Sequence, residues 1–152
     1  MSATLPQSVS ALGRVLLSVI FLVSGITKLA HWSDTAAMMA THGMPVAPLL
    51  LGLATFAEIA GGLALLLGFL TRPVSFLLFL YLIPTTLIFH NFWAYEGQAQ
   101  QMQLINFLKN LAIMGGLLKF AAEGALALSL DALLKRPAPW RTYLWPRGGR
   151  PA

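Results

Sequence analysis

Six side chains set in apolar stretches carry the chemistry of this chain: Lys28, Glu58, His90, Asn106, Lys109 and Asn110. Glu58 is the costliest. An acidic group at the centre of a membrane-spanning helix costs about 2.5 to 3.5 kcal/mol on insertion scales, and each neighbouring Leu, Ile or Phe returns only a fraction of that. A carboxylate held there needs a cationic partner, a proton or a task. Lys28 and Lys109 offer ammonium groups, Asn106 and Asn110 offer neutral amides, and His90 offers a ring nitrogen. Together these types can build an ion pair, a proton relay or a ligand pocket.

Positioning such residues falls to helices in lipid. The chain has 152 residues, 57% hydrophobic and only 10% charged, against roughly 25% charged in a soluble domain. Four apolar segments, at 11–30, 48–70, 73–90 and 104–122, approach or reach the roughly 20 residues that cross a hydrocarbon core. They predict an all-α, membrane-spanning four-helix bundle as one domain over 1–134, followed by a basic, aromatic, Pro/Gly-rich tail over 135–152. The first segment has only Arg14 as a flanking cation and no clean small-residue cleavage site before Lys28, so it is read as retained and not as a signal peptide. Between the first two spans, Asp34 is expected to cap a short interfacial helix over 35–41, ended by Gly43 and Pro45. Thr71-Arg72-Pro73 is expected to form the turn between spans two and three, and Pro84 to free a carbonyl within span three.

Arg14, Arg72, Lys119, Lys135, Arg136, Arg141, Arg147 and Arg150 fall on one side of this arrangement, and Lys28 and Lys109 on the other. The positive-inside rule then places both termini in the cytoplasm and the segments 31–47 and 91–103 outside. The net charge of +5 does not indicate nucleic acid, because the cations crowd into the tail; a tail resting on anionic lipid is the simpler reading. Absence of cysteine excludes disulfides, thiolate metal sites and cysteine-bound iron–sulfur clusters.

Helical spacing puts Arg14, Ser18, Gly25 and Lys28 on one stripe, Ala54, Glu58, Gly61 and Gly62 on another, and Asn106, Lys109, Asn110 and Gly116 on a third. At about 1.5 Å per residue, Glu58 lies about 15 Å below the outer boundary, Lys109 about 7 Å and Lys28 about 3 Å. Side chains tilt towards a helix's N-terminus, so Lys28 is aimed down and Glu58 and Lys109 up. The expectation is an outer-half site of Glu58, Lys28 and Lys109 with Asn106 and Asn110 beside it, and a structural ion pair is the competing reading. Arg14 is expected to be an interfacial anchor. The pairs Gly61-Gly62 and Gly115-Gly116 read as close helix packing. His31, Asp34, His42, His90 and Glu96 share the outer side, and His31-x-x-Asp34 has usable ligand spacing, but two of the five sit on loops and no His-x-x-x-His pair occurs on a helix, so no metal site is expected. No phosphate loop, dinucleotide fingerprint or hydrolase triad occurs.

Arg14, the run Phe21-Leu-Val-Ser-Gly-Ile-Thr-Lys28-Leu29, Gly43-Met-Pro45, Glu58-Ile-Ala-Gly-Gly-Leu-Ala-Leu-Leu-Leu-Gly68, Thr71-Arg72, His90-Asn-Phe-Trp93, Asn106-Phe-Leu-Lys109-Asn110 running on to Gly116, and Ser129-Leu130-Asp131 occur in that order. As a set they closely resemble the DoxX family of small four-helix membrane proteins, over about residues 12–131. The chain departs from the pattern at 123–126, where a Gly-rich stretch is replaced by Glu-Gly-Ala-Leu. The resemblance implies a multi-pass bacterial inner-membrane protein with both ends inside; some members of the family are subunits of quinone-linked oxidoreductases, others are linked to complexes with soluble redox partners, and many have no assigned activity.

Three functions follow as expectations. One is a subunit of a quinone-linked oxidoreductase, with Lys28, His90, Asn106 and Lys109 as hydrogen-bond donors to the head group, Glu58 as proton relay, and no covalent cofactor. Another is a non-enzymatic anchor or assembly subunit for soluble redox partners. The third is small-solute or proton transport, which calls for a homo-oligomer because four helices leave little room for a path in one protomer.

Overall fold

The computed structural model describes residues 5–126 and 128–134; the tail expected over 135–152 lies outside them. The chain order is α1 (Leu5–Ala30), α2 (Trp32–Thr41), α3 (Ala47–Leu67), α4 (Thr71–Phe89), a 3₁₀ turn (Phe92–Ala94), α5 (Gly97–Glu123) and α6 (Leu130–Leu133), with no strand among the described residues. Four stretches are long and apolar enough to cross a membrane: Gln7–Ala30, Ala47–Leu67, Thr71–Ala94 and Gly97–Glu123. The protein is an all-α membrane bundle. Its outward faces carry large apolar side chains such as Phe56, 72% exposed, Leu16 and Leu77. Contiguous apolar surface on that scale suits lipid and not water.

α1 packs chiefly on α3, and α4 on α5, with a thinner seam between α3 and α4. Phe21, Leu65, Leu78, Leu82, Met114 and Leu117 form the buried centre. Glycines set the spacing: a methyl on Gly25 would meet Ile59 Cγ1 at 2.6 Å, one on Gly61 would meet Leu78 at 2.8 Å, and one on Gly62 would meet Leu22 at 2.9 Å. Gly61 thus admits α4 and Gly62 admits α1, the close approach expected of small residues in lipid. The second pair is not equivalent, since Gly116 faces Leu17 whereas Gly115 faces open space.

Several boundaries differ from those read in the sequence. α2 begins at Trp32, so Asp34 stands in its first turn and does not cap it. α3 ends at Leu67, where Gly68 takes a left-handed conformation (φ 65°). Gly68 N–H donates to Leu65 O and Phe69 N–H to Ala64 O, the paired bonds of a Schellman stop. The turn is therefore 68–70, and Thr71-Arg72-Pro73 are the first helical residues of α4, where proline lacks an N–H that a helix leaves unused anyway. α5 starts at Gly97, so its first turns carry Gln98, Gln100 and Gln101 exposed before the apolar run begins.

Candidate functional site

Lys28 sits in the last turn of α1, where its stem descends alongside α3. Its ammonium donates to Glu58 Oε1 at 2.9 Å and to Glu58 Oε2 at 2.8 Å, and to Ser24 Oγ one turn back at 2.7 Å. Glu58 lies midway along α3 with its side chain only 5% exposed, against 22% for that of Lys28. From α4, the Tyr81 hydroxyl donates to Glu58 Oε1 at 2.7 Å. One carboxylate thereby joins three helices through charge-assisted bonds, the strong class of hydrogen bond. The pair survives burial because both oxygens have donors, which offsets much of the desolvation that an isolated charge would suffer.

Gly25 explains how the two backbones come close enough. Its missing side chain leaves the space that Ile59 and Glu58 Cβ occupy. Pro84, one turn above Tyr81, lies inside a continuous α4. Its ring removes the donor that Leu80 O would otherwise receive, while Thr85 Oγ1 donates to Tyr81 O at 2.9 Å.

The remaining sequence-predicted residues stand elsewhere. Lys109 is exposed on α5 and donates to Asn106 Oδ1 at 3.0 Å; the structure does not bring it to Glu58. Asn110 is buried and donates to Thr86 Oγ1 at 3.0 Å, tying α5 to α4. His90 ends α4, and its Nδ1 donates to Gln103 Oε1 at 2.9 Å. Of the other histidines, His42 donates from Nδ1 to Met38 O at 2.9 Å and rests against Phe89. Among the described residues no three His, Asp or Glu side chains converge as metal ligands.

Sequence reasoning missed Tyr81 and Ser24. A tyrosine in the middle of an apolar span is itself a signal, because a buried phenol usually finds a polar partner. Beside the cluster, the thin seam between α3 and α4 opens an apolar groove of about 280 Å³ lined by Phe56, Ala57, Ala60, Gly61, Leu77 and Leu78 among others. Its lining takes in residues on either side of Glu58 in α3 and residues of α4 that precede Tyr81, but not Lys28, Glu58 or Tyr81 themselves.

A second polar assembly lies where the start of α4 meets the segment 128–134. Arg14, expected as an interfacial anchor, is 4% exposed and donates from Nη2 to Leu128 O at 2.7 Å. Its guanidinium lies against Gly68, where any side chain would collide with it. Asp131 accepts from Leu70 N–H at 2.7 Å and Thr71 N–H at 2.9 Å, capping α4 from sixty residues away. Arg72 Nη2 donates to Glu123 O at 3.0 Å, at the end of α5. Leu70 (φ 48°) and Leu128 (φ 63°) both adopt left-handed backbone, a strained conformation for Leu that the surrounding bonds hold in place. Arg14 is buried because the segment 128–134 folds back over it, a contact that no helical periodicity encodes.

The DoxX family profile matches residues 9–91 and the SURF4 family profile matches residues 53–136. Inner membrane protein YphA of Escherichia coli (strain K12) is 34% identical over 120 residues, covering 79% of this chain and 86% of that protein. Inner membrane protein YqjF of the same organism is 36% identical over 123 residues, covering 81% of this chain and 89% of that protein. No solved structure matches the chain.

Proposed function

The chain belongs to the DoxX family, and from that premise we propose that it is a redox-associated subunit of the bacterial inner membrane whose Lys28–Glu58–Tyr81 cluster receives a quinone head group. The inner-membrane location accords with the names of its relatives and with four spanning helices. We assign both termini to the cytoplasm on the distribution of basic residues in the sequence, with Arg14, Arg72 and Lys119 towards one end of the bundle and Lys28 and Lys109 towards the other.

The observation that carries this reading is the convergence of an ammonium and a phenol on one mid-span carboxylate at 2.7–2.9 Å; an apolar groove lined by the neighbouring residues of α3 and α4, though by none of these three, lies close in the chain. The residues fit such a group by chemistry: Lys28 and Tyr81 are donors suited to carbonyl oxygens, and the groove suits an apolar tail. A bound quinone supplies two-electron, two-proton redox chemistry. Glu58 is the acceptor that both donors share, so a head group that takes their hydrogen bonds must compete with its carboxylate. The chain has no cysteine to carry a thiolate-bound electron relay, so a partner protein is assigned the electron transfer. Titration of a short-chain quinone analogue into the purified full-length protein in nanodiscs tests this; binding that weakens in Glu58→Gln supports it, and no binding to the wild type refutes it.

A second reading is favoured by one observation: both Glu58 oxygens already have donors within 2.9 Å. On that reading the cluster only locks α1, α3 and α4, and the protein anchors soluble redox partners. Glu58→Gln would then lower thermal stability without any quinone analogue binding, and a soluble redox enzyme would be retained by wild type and variant alike in pull-downs.

A further inference from the structure

Lys109 is separated from the Glu58 cluster and faces outward from the bundle. Its polar contact is the neutral Asn106 Oδ1 at 3.0 Å. The other described cations each reach an acceptor of greater charge or a backbone carbonyl: Lys28 has Glu58, Lys119 has Glu123, Arg14 has Leu128 O and Arg72 has Glu123 O. Around Lys109 the surface is apolar and open, with Ile105 58% and Leu108 52% exposed and Ala112 exposed one turn further on. A cation on such a face is stable only where its head reaches water or an anion.

Depth decides which. Exposed glutamines occupy the first turns of α5, so the hydrocarbon begins near Leu104 and Lys109 lies about 7 Å inside it. Its side chain tilts back towards the helix N-terminus, and a lysine stem is long enough to carry the ammonium up to the headgroup layer. Trp93, 57% exposed, marks the same level, its ring 6.2 Å from that of Phe107 on α5; exposed tryptophan is characteristic of that layer. An anion presented at headgroup height, with apolar chains running down past Leu108 and Ala112, is an anionic phospholipid.

We infer that the Lys109–Asn106 face of α5 is a binding site for one anionic phospholipid, its phosphate on the Lys109 ammonium, in the leaflet on the Lys28 side. The site is independent of the quinone reading, because it shares no residue with the Lys28–Glu58–Tyr81 cluster.

Native mass spectrometry of the full chain titrated with phosphatidylglycerol or phosphatidylcholine tests it. The wild type should retain one phosphatidylglycerol more tightly than phosphatidylcholine, and Lys109→Gln should weaken that retention about fivefold, the effect of one basic residue at a lipid surface. Lys109→Arg should keep it. The tail cations are the same in all three proteins and cancel in the comparison. Equal retention of phosphatidylglycerol by Lys109→Gln and wild type would overturn the inference. So would equal retention of the two lipids by the wild type, or a second protein chain held through Lys109 in place of lipid.

Discussion

Tyr81 on α4 donates to the same Glu58 oxygen that takes one of the two Lys28 bonds, at 2.7 Å and 2.9 Å. That shared oxygen makes α4 a party to what would otherwise be a pair between α1 and α3. It also compensates for the seam between α3 and α4, which is thin in apolar contact and gains a charge-assisted bond instead.

Tyr81→Phe keeps the ring and removes the donor. Interhelical hydrogen bonds in membranes average about 0.6 kcal/mol and reach about 2, and the charged acceptor puts this one in the upper part of that range. Thermal or denaturant unfolding in detergent should show a loss of about 1 to 2 kcal/mol.

Lys28→Met strands a buried carboxylate, and breaking one side of a buried ion pair costs about 3 to 5 kcal/mol. The double variant Lys28→Met with Glu58→Met removes both charges together. It should be more stable than Lys28→Met alone, and a full double-mutant cycle on unfolding free energies should return a favourable coupling of more than about 1 kcal/mol. Additive losses would mean that the two side chains act independently.

Asp131→Ala removes a cap that satisfies the first amides of α4 and a negative charge near Arg14. Loss of a cap costs about 0.5 to 2 kcal/mol, and the strained backbone at Leu70 would lose its restraint as well. Limited proteolysis should then cut near 128–134 faster than in the wild type, while Asp131→Glu should be intermediate.

Gly68→Ala combines two penalties at one position. Its backbone is left-handed, and a methyl would collide with the Arg14 guanidinium. A left-handed non-glycine residue costs about 1 kcal/mol before any clash. The drop in melting temperature should exceed that of Gly115→Ala, whose methyl would meet open space.

The spans and the approach of Lys28 to Glu58 are legible in sequence for a physical reason. Apolar length fixes a spanning helix, and rise with side-chain tilt fixes which polar groups share a depth. Depth alone does not fix which way a helix turns. α5 is apolar on nearly every side of its span, so nothing in its pattern says that Asn110 faces Thr86 while Lys109 faces out. Tyr81 escapes notice because a single phenol scarcely changes the apolar character of span three. The burial of Arg14 and the capping by Asp131 depend on a short segment folding back across the bundle, and contacts that distant in sequence leave no periodic trace.

Titration of a quinone analogue into wild type, Tyr81→Phe and Lys109→Met in nanodiscs tests the central claim most directly. The account predicts saturable binding to the wild type, an affinity loss of about five- to tenfold in Tyr81→Phe, as for the loss of about one to one and a half kcal/mol of hydrogen bonding, and no change in Lys109→Met. Absence of binding to the wild type, or equal affinity in Tyr81→Phe, would contradict it.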